Sequence, residues 1–149
     1  MDVARAAHAP LSALTQDLRA AGLRATRPRL LVLRLLRERG GHHSADDLTA
    51  ALAASGETLL RGSVYNVLGS LVDSGLVAVA DAGPGRTLYE ASTGWHHHFV
   101  CSECGAVLDV PCVVGAKPCL EAGLADAEVV EAQVIFRGRC PSCATAAGR

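Results

Sequence analysis

The sequence predicts an α+β protein of two small domains: a helical N-terminal domain closed by a two-stranded hairpin, then a small α/β domain built around cysteine pairs. Three observations carry this expectation. Apolar residues recur at helical spacing as far as about residue 74, and short runs rich in β-branched residues replace them afterwards. Glycines stand at the ends of the helical runs, where a left-handed residue stops a helix. Two Cys-x-x-Cys pairs, Cys101/Cys104 and Cys140/Cys143, lie in the second half.

Leu11, Leu14 and Leu18 mark a first helix ending at Gly22. A second helix starts after Thr26 as N-cap, accepts Pro28 in its first turn, and carries Leu30, Leu33 and Leu36 or Leu35 inward until Gly40 and Gly41. Ser44 followed by Asp47 reads as a capping box opening a third helix through Leu48 and Leu52 to Gly56. A fourth covers roughly 63–74, with Val64, Leu68 and Leu71 on one face and Gly75 closing it. Leu76 to Ala80 and Arg86 to Ala91 then read as a hairpin around the turn Asp81 to Gly85, and helices followed by such a hairpin make a winged helix-turn-helix. Thr93 and Gly94 read as a hinge separating domains 1–92 and 95–149. Beyond it, His98 to Cys101, Ala106 to Val110 and Val129 to Arg137 read as strands, with a small helix at Leu120 to Ala125.

Half of the 149 residues are hydrophobic, enough apolar surface for a compact core. Met1 to Pro10 lacks a basic start followed by an apolar run, and no stretch of about 18 apolar residues occurs, so a cytoplasmic protein without a membrane partner is expected. The formal net charge of −1 excludes a uniformly basic coat. Locally the balance is different: residues 19–40 hold seven arginines against Glu38, whereas residues 86–149 hold five cations and seven anions. A surface for nucleic-acid phosphate is therefore expected near the N-terminus only, with a solvated helix face as the plainer reading.

Two residues between cysteines let both sulfurs reach one ion from a tight turn, and two such turns supply the tetrahedral thiolate cage that Zn²⁺ favours. The 35 residues between the pairs are no obstacle, because closing a loop costs only about 0.6 kcal/mol more per doubling of its length. With Cys101, Cys104, Cys140 and Cys143 all ligating, no position is left for water, so the zinc is expected to be structural. Separate redox-active pairs are the alternative, but the strand and helix setting of such a motif is missing. The signature of a zinc deaminase is missing too, because no Glu stands beside the first histidine of His96-His97-His98.

Alternate residues of a strand share a face, so His96 and His98 can grip a second ion while His97 points away. Glu90, Asp109 and His42 are candidate further ligands. A mixed nitrogen and oxygen set suits Fe²⁺ or Mn²⁺, and also Zn²⁺ or Ni²⁺. Three successive histidines are otherwise a solvated turn. Ligands drawn from both sides of the hinge would make the ion a switch that favours one domain arrangement.

Gly22-Leu-Arg-Ala-Thr-Arg-Pro-Arg29, Ser63-Val-Tyr-Asn-Val-Leu68, Ser74-Gly-Leu-Val77, His96-His-His-Phe-Val-Cys-Ser-Glu-Cys-Gly105 and Gly138-Arg-Cys-Pro-Ser-Cys143 together resemble the ferric uptake regulator (Fur) family, over about residues 14 to 144. The resemblance implies a winged helix joined to an α/β dimerisation domain. It implies a homodimeric, metal-dependent repressor that binds a palindromic double-stranded DNA operator, and not an enzyme. The fourth helix would face DNA with Ser63, Tyr65 and Asn66, and Arg61, Arg27 and Arg29 would meet the phosphate backbone. The regulatory ligands implied are the same His42, Glu90, His96, His98 and Asp109.

Where iron-sensing members carry further histidines this chain has Trp95 and Glu131, which argues against a third metal site. Peroxide-sensing members usually carry Asp in place of Glu90. The segment Val110-Pro-Cys112-Val-Val-Gly-Ala-Lys-Pro-Cys119-Leu is similar to the actinobacterial branch linked to catalase genes. Cys112 and Cys119 are accordingly candidate redox thiols, or else small buried apolar groups. Peroxide or redox state is the preferred signal and iron status the alternative. A zinc-stapled metalloenzyme is the competing class, for which an open coordination position and a nearby general base would be needed.

Overall fold

In the computed structural model of the chain, residues 10–83, 85–91, 94–116, 118–120, 122–130 and 132–146 are described. Thr93 of the expected hinge, Pro84 of the expected turn and Glu131 lie outside them. The chain divides into two compact units, Met1–Ser92 and Thr93–Arg149.

The first unit contains α1 (Leu11–Ala20), α2 (Arg27–Arg39), α3 (Ala45–Ala54), α4 (Arg61–Asp73) and an antiparallel hairpin of β1 (Val77–Asp81) and β2 (Thr87–Ala91), a winged helix. Leu14, Leu18, Val32, Leu33, Leu36, Leu48, Val64, Leu68 and Leu71 are its fully enclosed centre. Burying such a side chain contributes about 1.5–3 kcal/mol, so this cluster dominates the stability of the unit. The α2 helix turns a wider face inward than its spacing suggested. Leu31 and Val32 are buried, whereas Leu30 and Leu35 pack at the edge of the core. The reason is that α2 touches α1, α3, α4 and β2, so it has apolar neighbours around more than half of its circumference.

The helix starts differ in how they are capped. Ser44 and Asp47 form the expected reciprocal box, with Asp47 N–H donating to Ser44 Oγ at 3.1 Å and Ser44 N–H donating to Asp47 Oδ2 at 3.0 Å. Thr26 occupies the N-cap position of α2, but its side chain makes no capping hydrogen bond, and Pro28 removes one of the donors that would need a partner. The fourth helix begins two residues earlier than expected, with Leu60 at its N-cap, and so includes Arg61.

In the second unit β3 (His96–Cys101) is central, paired antiparallel with β4 (Val107–Pro111) and parallel with β5 (Ile135–Gly138). The short α5 (Pro141–Ala146) follows. Two expectations fail here. Residues 120 and 122–125 form turns and bends, not a helix: Pro118 and Gly123 break the run, and Leu120 and Leu124 remain largely exposed. The last strand is only Ile135–Gly138, since the residues before it find no ladder partner on β3 beyond His98. The helix α5 was not foreseen, although Pro141 after Cys140 is a start signal. Among the described residues no helix is long and apolar enough to cross a membrane.

Candidate metal centres and nucleic-acid interface

The cysteine pairs come together as their spacing requires. Cys101 ends β3, and the backbone turns back over 102–104, where Gly105 takes φ 72° and its N–H donates to the Cys101 carbonyl at 3.0 Å. Cys140 precedes α5 and Cys143 lies in its first turn, shortly after the strand beside β3. All four sulfurs lie within 4.8 Å of one another. Cys104 Sγ and Cys140 Sγ are 3.8 Å apart, matching the separation of about 3.8 Å that two thiolates take on a tetrahedral ion with Zn–S bonds of about 2.3 Å.

Charge is distributed unevenly over this cage. Backbone N–H groups of Cys104 and Cys140, the latter at 3.3 Å, bring the Cys101 thiol down to about 6. Hydrogen bonds with Cys140 and Cys104, together with burial and the neighbouring Cys101 charge, push the Cys143 thiol up to about 12. Negative charge crowded on sulfurs this close favours a dication among them. Zinc fits these residues.

The two faces of β3 carry different chemistry. His96 and His98 share one face, their ring centroids 4.9 Å apart, and Asp109 on β4 pairs with His98 in register and lies 3.5 Å from His96 Nε2. Gln133, not singled out from the sequence, approaches His98 Nδ1 at 3.3 Å. As placed, its amide nitrogen donates to that ring nitrogen, and the reversed amide would accept Nδ1–H and leave Nε2 as the ligating atom. Trp95 and His97 share the opposite face in an edge-on contact of 5.6 Å. There Cys112 and Cys119 complete a second cluster, with the three ligating atoms of His97, Cys112 and Cys119 within 4.8 Å of one another. Burial pushes the Cys112 thiol up, but the backbone N–H groups of Gly115 and Val114, with Cys119 and Trp95, outweigh it and leave the thiol below its ordinary value. No earlier signal joined His97 to these cysteines, because the pairing depends on how the chain returns after β4.

In the first unit, His42 and Glu90 form their own pair, Nε2 to carboxylate at 3.2 Å. Their approach is set by the neighbours: His43 and Tyr89 exchange backbone hydrogen bonds at 2.9 and 2.8 Å, fastening the segment before α3 to the wing strand. Both side chains of the His42–Glu90 pair are almost fully buried. An imidazole and a carboxylate so placed supply one nitrogen and up to two oxygens to a borderline or hard cation.

Tyr65 and Asn66 are exposed on α4, and Ser63 is half-buried. Arg61, one turn before Tyr65, is held by Asp46 at 2.6 and 3.2 Å and lies over the Tyr65 ring, 5.1 Å from its centroid. The arginine-rich segment is less free than its composition suggested. Arg27 pairs with Glu57, Arg37 with Asp17 at 2.6 Å, and Arg34 with Glu38 at 3.9 Å. Arg29 reaches Ser70 Oγ at 3.2 Å and the Arg24 carbonyl at 3.0 Å, tying α2 to α4.

The family model described as "Ferric uptake regulator family" matches residues 20–113, more than half of the chain. The chain belongs to that family. As a Fur-family member it is a transcriptional regulator and not an enzyme. It is 38% identical over 130 residues to the transcriptional regulator FurA of Mycobacterium tuberculosis, covering 86% of this chain and 88% of that protein. It is 35% identical over 132 residues to the ferric uptake regulation protein of Legionella pneumophila, covering 87% and 97%. The structure of the ferric uptake regulator from Pseudomonas aeruginosa with manganese superimposes with a TM-score of 0.66 at 28% identity, over 86% of this chain and 98% of that one. The likeness to a Fur-family structure thus covers more of the chain than the matched segment does.

Proposed function

We propose that this chain is a homodimeric, cytoplasmic repressor whose grip on a palindromic DNA site is set by an exchangeable divalent metal and lost under peroxide or redox stress. Dimer symmetry then appears as operator symmetry, each winged helix reading one half-site. The observation that carries the reading is the separation of two donor sets of different chemistry. An all-sulfur cage suits a structural Zn²⁺, and a nitrogen and oxygen set suits Fe²⁺ or Mn²⁺. His42, Glu90, His96, His98 and Asp109 are the residues assigned to the exchangeable ion, the first two belonging to one unit and the last three to the other. An ion that drew ligands from both would tie DNA affinity to metal occupancy through its preference for one arrangement.

On DNA, the α4 face with Arg61, Ser63, Tyr65 and Asn66 reads the major groove. Arg27 supplies phosphate contact, and Arg29 acts from behind by fixing α2 against α4. Glu90 and the likeness to proteins named for ferric uptake favour a second reading, an iron-responsive repressor. The discriminating experiment compares operator affinity at fixed salt for the zinc-loaded chain alone, with Mn²⁺, with Fe²⁺ under anaerobic conditions, and with Fe²⁺ after hydrogen peroxide. Loss of binding only in the last state supports the peroxide reading. Binding that follows Fe²⁺ and survives peroxide supports iron sensing, and no specific binding in any state overturns both.

A further inference from the structure

The second face of β3 is not used by either metal set. There His97 is buried and directional. Val134 N–H donates to His97 Nδ1 at 3.3 Å, which requires that nitrogen to be unprotonated and leaves the ring proton of the neutral imidazole on Nε2. Nε2 lies 3.4 Å from Cys119 Sγ. A metal at this point would need Nε2 stripped of its proton and Nδ1 carrying one, against the Val134 donor. The geometry therefore suits a ring that donates to sulfur and not one that ligates an ion. Cys119 Sγ in turn reaches the Ala132 carbonyl at 3.5 Å and hydrogen bonds to Cys112. Cys112 also receives the backbone N–H groups of Val114 and Gly115 and the Trp95 indole. Anion-stabilising donors thus converge on Cys112, and its thiol partner is held beside it by His97.

Both sulfurs are half-buried, and neither belongs to the four-sulfur cage. They open onto a recess of about 240 Å³ whose other walls are apolar, among them Val110, Pro111, Val113, Leu120 and Phe136. Such a wall offers little to water or a small polar oxidant and much to a hydrocarbon tail.

We infer that Cys112 and Cys119 form a dithiol that reacts with organic hydroperoxides, Cys112 as the attacking sulfur, Cys119 as the resolving sulfur and His97 as the residue that positions Cys119. The Cys112 thiolate attacks the outer peroxide oxygen, the O–O bond breaks, and the alkoxide leaves as an alcohol after taking a proton from solvent. Cys112 is now a sulfenic acid, oxidised by the two electrons the peroxide gained. Cys119, its sulfur held by the His97 Nε2–H, gives up its proton and attacks the Cys112 sulfur. The S–O bond breaks, hydroxide leaves as water with the proton Cys119 gave up, and a disulfide forms. Overall, two thiols and one hydroperoxide give one disulfide, one alcohol and one water. This input is separate from the exchangeable metal and adds to the proposed function without resting on its ion.

The test uses the full, zinc-loaded chain free of iron, treated with equimolar cumene hydroperoxide or hydrogen peroxide, and read by intact mass and peptide mapping. Expected is a Cys112–Cys119 link with zinc retained, forming roughly tenfold or more faster with cumene hydroperoxide, the scale of discrimination an apolar pocket gives. C119S traps a dimedone-reactive sulfenate on Cys112, C112S traps none on Cys119, and H97A slows the link while leaving the sulfenate on Cys112 longer-lived. Equal rates with the two oxidants, a link through other cysteines, or a second zinc equivalent that needs His97, Cys112 and Cys119 overturns the inference. Because DNA is absent from the assay, failure here leaves the repressor reading standing, and failure of operator binding leaves this one.

Discussion

His43 and Tyr89 exchange both of their backbone hydrogen bonds, at 2.9 and 2.8 Å, and that single bridge holds His42 against Glu90. The bridge fixes the backbone from which both side chains project, and burial restricts the side chains further. Preorganised ligands lose less freedom when an ion arrives. H42A and E90Q are therefore expected to weaken Mn²⁺ binding by about 10- to 100-fold in calorimetry of the zinc-loaded chain, with the cysteine-bound zinc content unchanged. An unaltered Mn²⁺ isotherm in both variants would remove the pair from the exchangeable site.

Zinc uptake by the reduced, metal-free chain is expected to release protons, and the sulfurs contribute unequally. Cys101, held at about 6, is already ionised at pH 7.5 and adds little. Cys143, pushed up to about 12, must give up about one proton. Affinity accordingly rises with pH through the neutral range and falls on acidification. Titration in buffers of different ionisation enthalpy reads the proton count directly, and C143S should lower it by about one, whereas C101S should barely change it.

How far the sequence foretold these sites follows from how local each one is. The cysteine pairs and the Ser44–Asp47 box are written within four residues each, so spacing alone revealed them. His96 and His98 were legible because strand alternation is a backbone property. The pairing of His97 with Cys112 and Cys119 was not, since it depends on a return path through segments with no regular structure. The helix expected at 120–125 failed for the same reason: two leucines at helical spacing say nothing about whether a surface exists to bury them, and Leu120 and Leu124 stay largely exposed. The arginine cluster misled in the other direction. Net charge counts ions along the chain, and Asp17 and Glu57, distant in sequence, neutralise Arg37 and Arg27 in space.

The capping box gives a stability prediction with a definite sign. Asp47 accepts from Ser44 Oγ and from Ser44 N–H, which holds its carboxyl below the ordinary 3.8. A lowered folded value means the contribution is complete above about pH 4 and is lost as pH falls through the folded pKa. S44A is expected to cost about 1 kcal/mol at pH 7 in urea unfolding. D47N should flatten the acid limb of the stability curve, and an unchanged limb would mean that this carboxylate contributes nothing to it.

Arg61 stands between two uses. In the free chain it is paired with Asp46 and stacked on Tyr65, both exposed, so the pair is worth little in water and can exchange partners. A phosphate offers the same bidentate geometry as the carboxylate and is favoured by release of counterions from the duplex. If Asp46 competes with DNA for the guanidinium, D46N must strengthen operator binding. The expected gain is roughly three- to tenfold at low salt, shrinking as salt is raised. R61A must weaken binding and reduce the slope of log affinity against log salt by about 0.9, the share of one phosphate. R61K separates charge from shape, because a lysine keeps the phosphate attraction but loses the planar fork and the stacking on Tyr65. An Arg61 that stays on Asp46 in the complex predicts the opposite pattern: D46N would loosen Tyr65 and lower affinity, and the salt slope of R61A would match that of the unaltered chain.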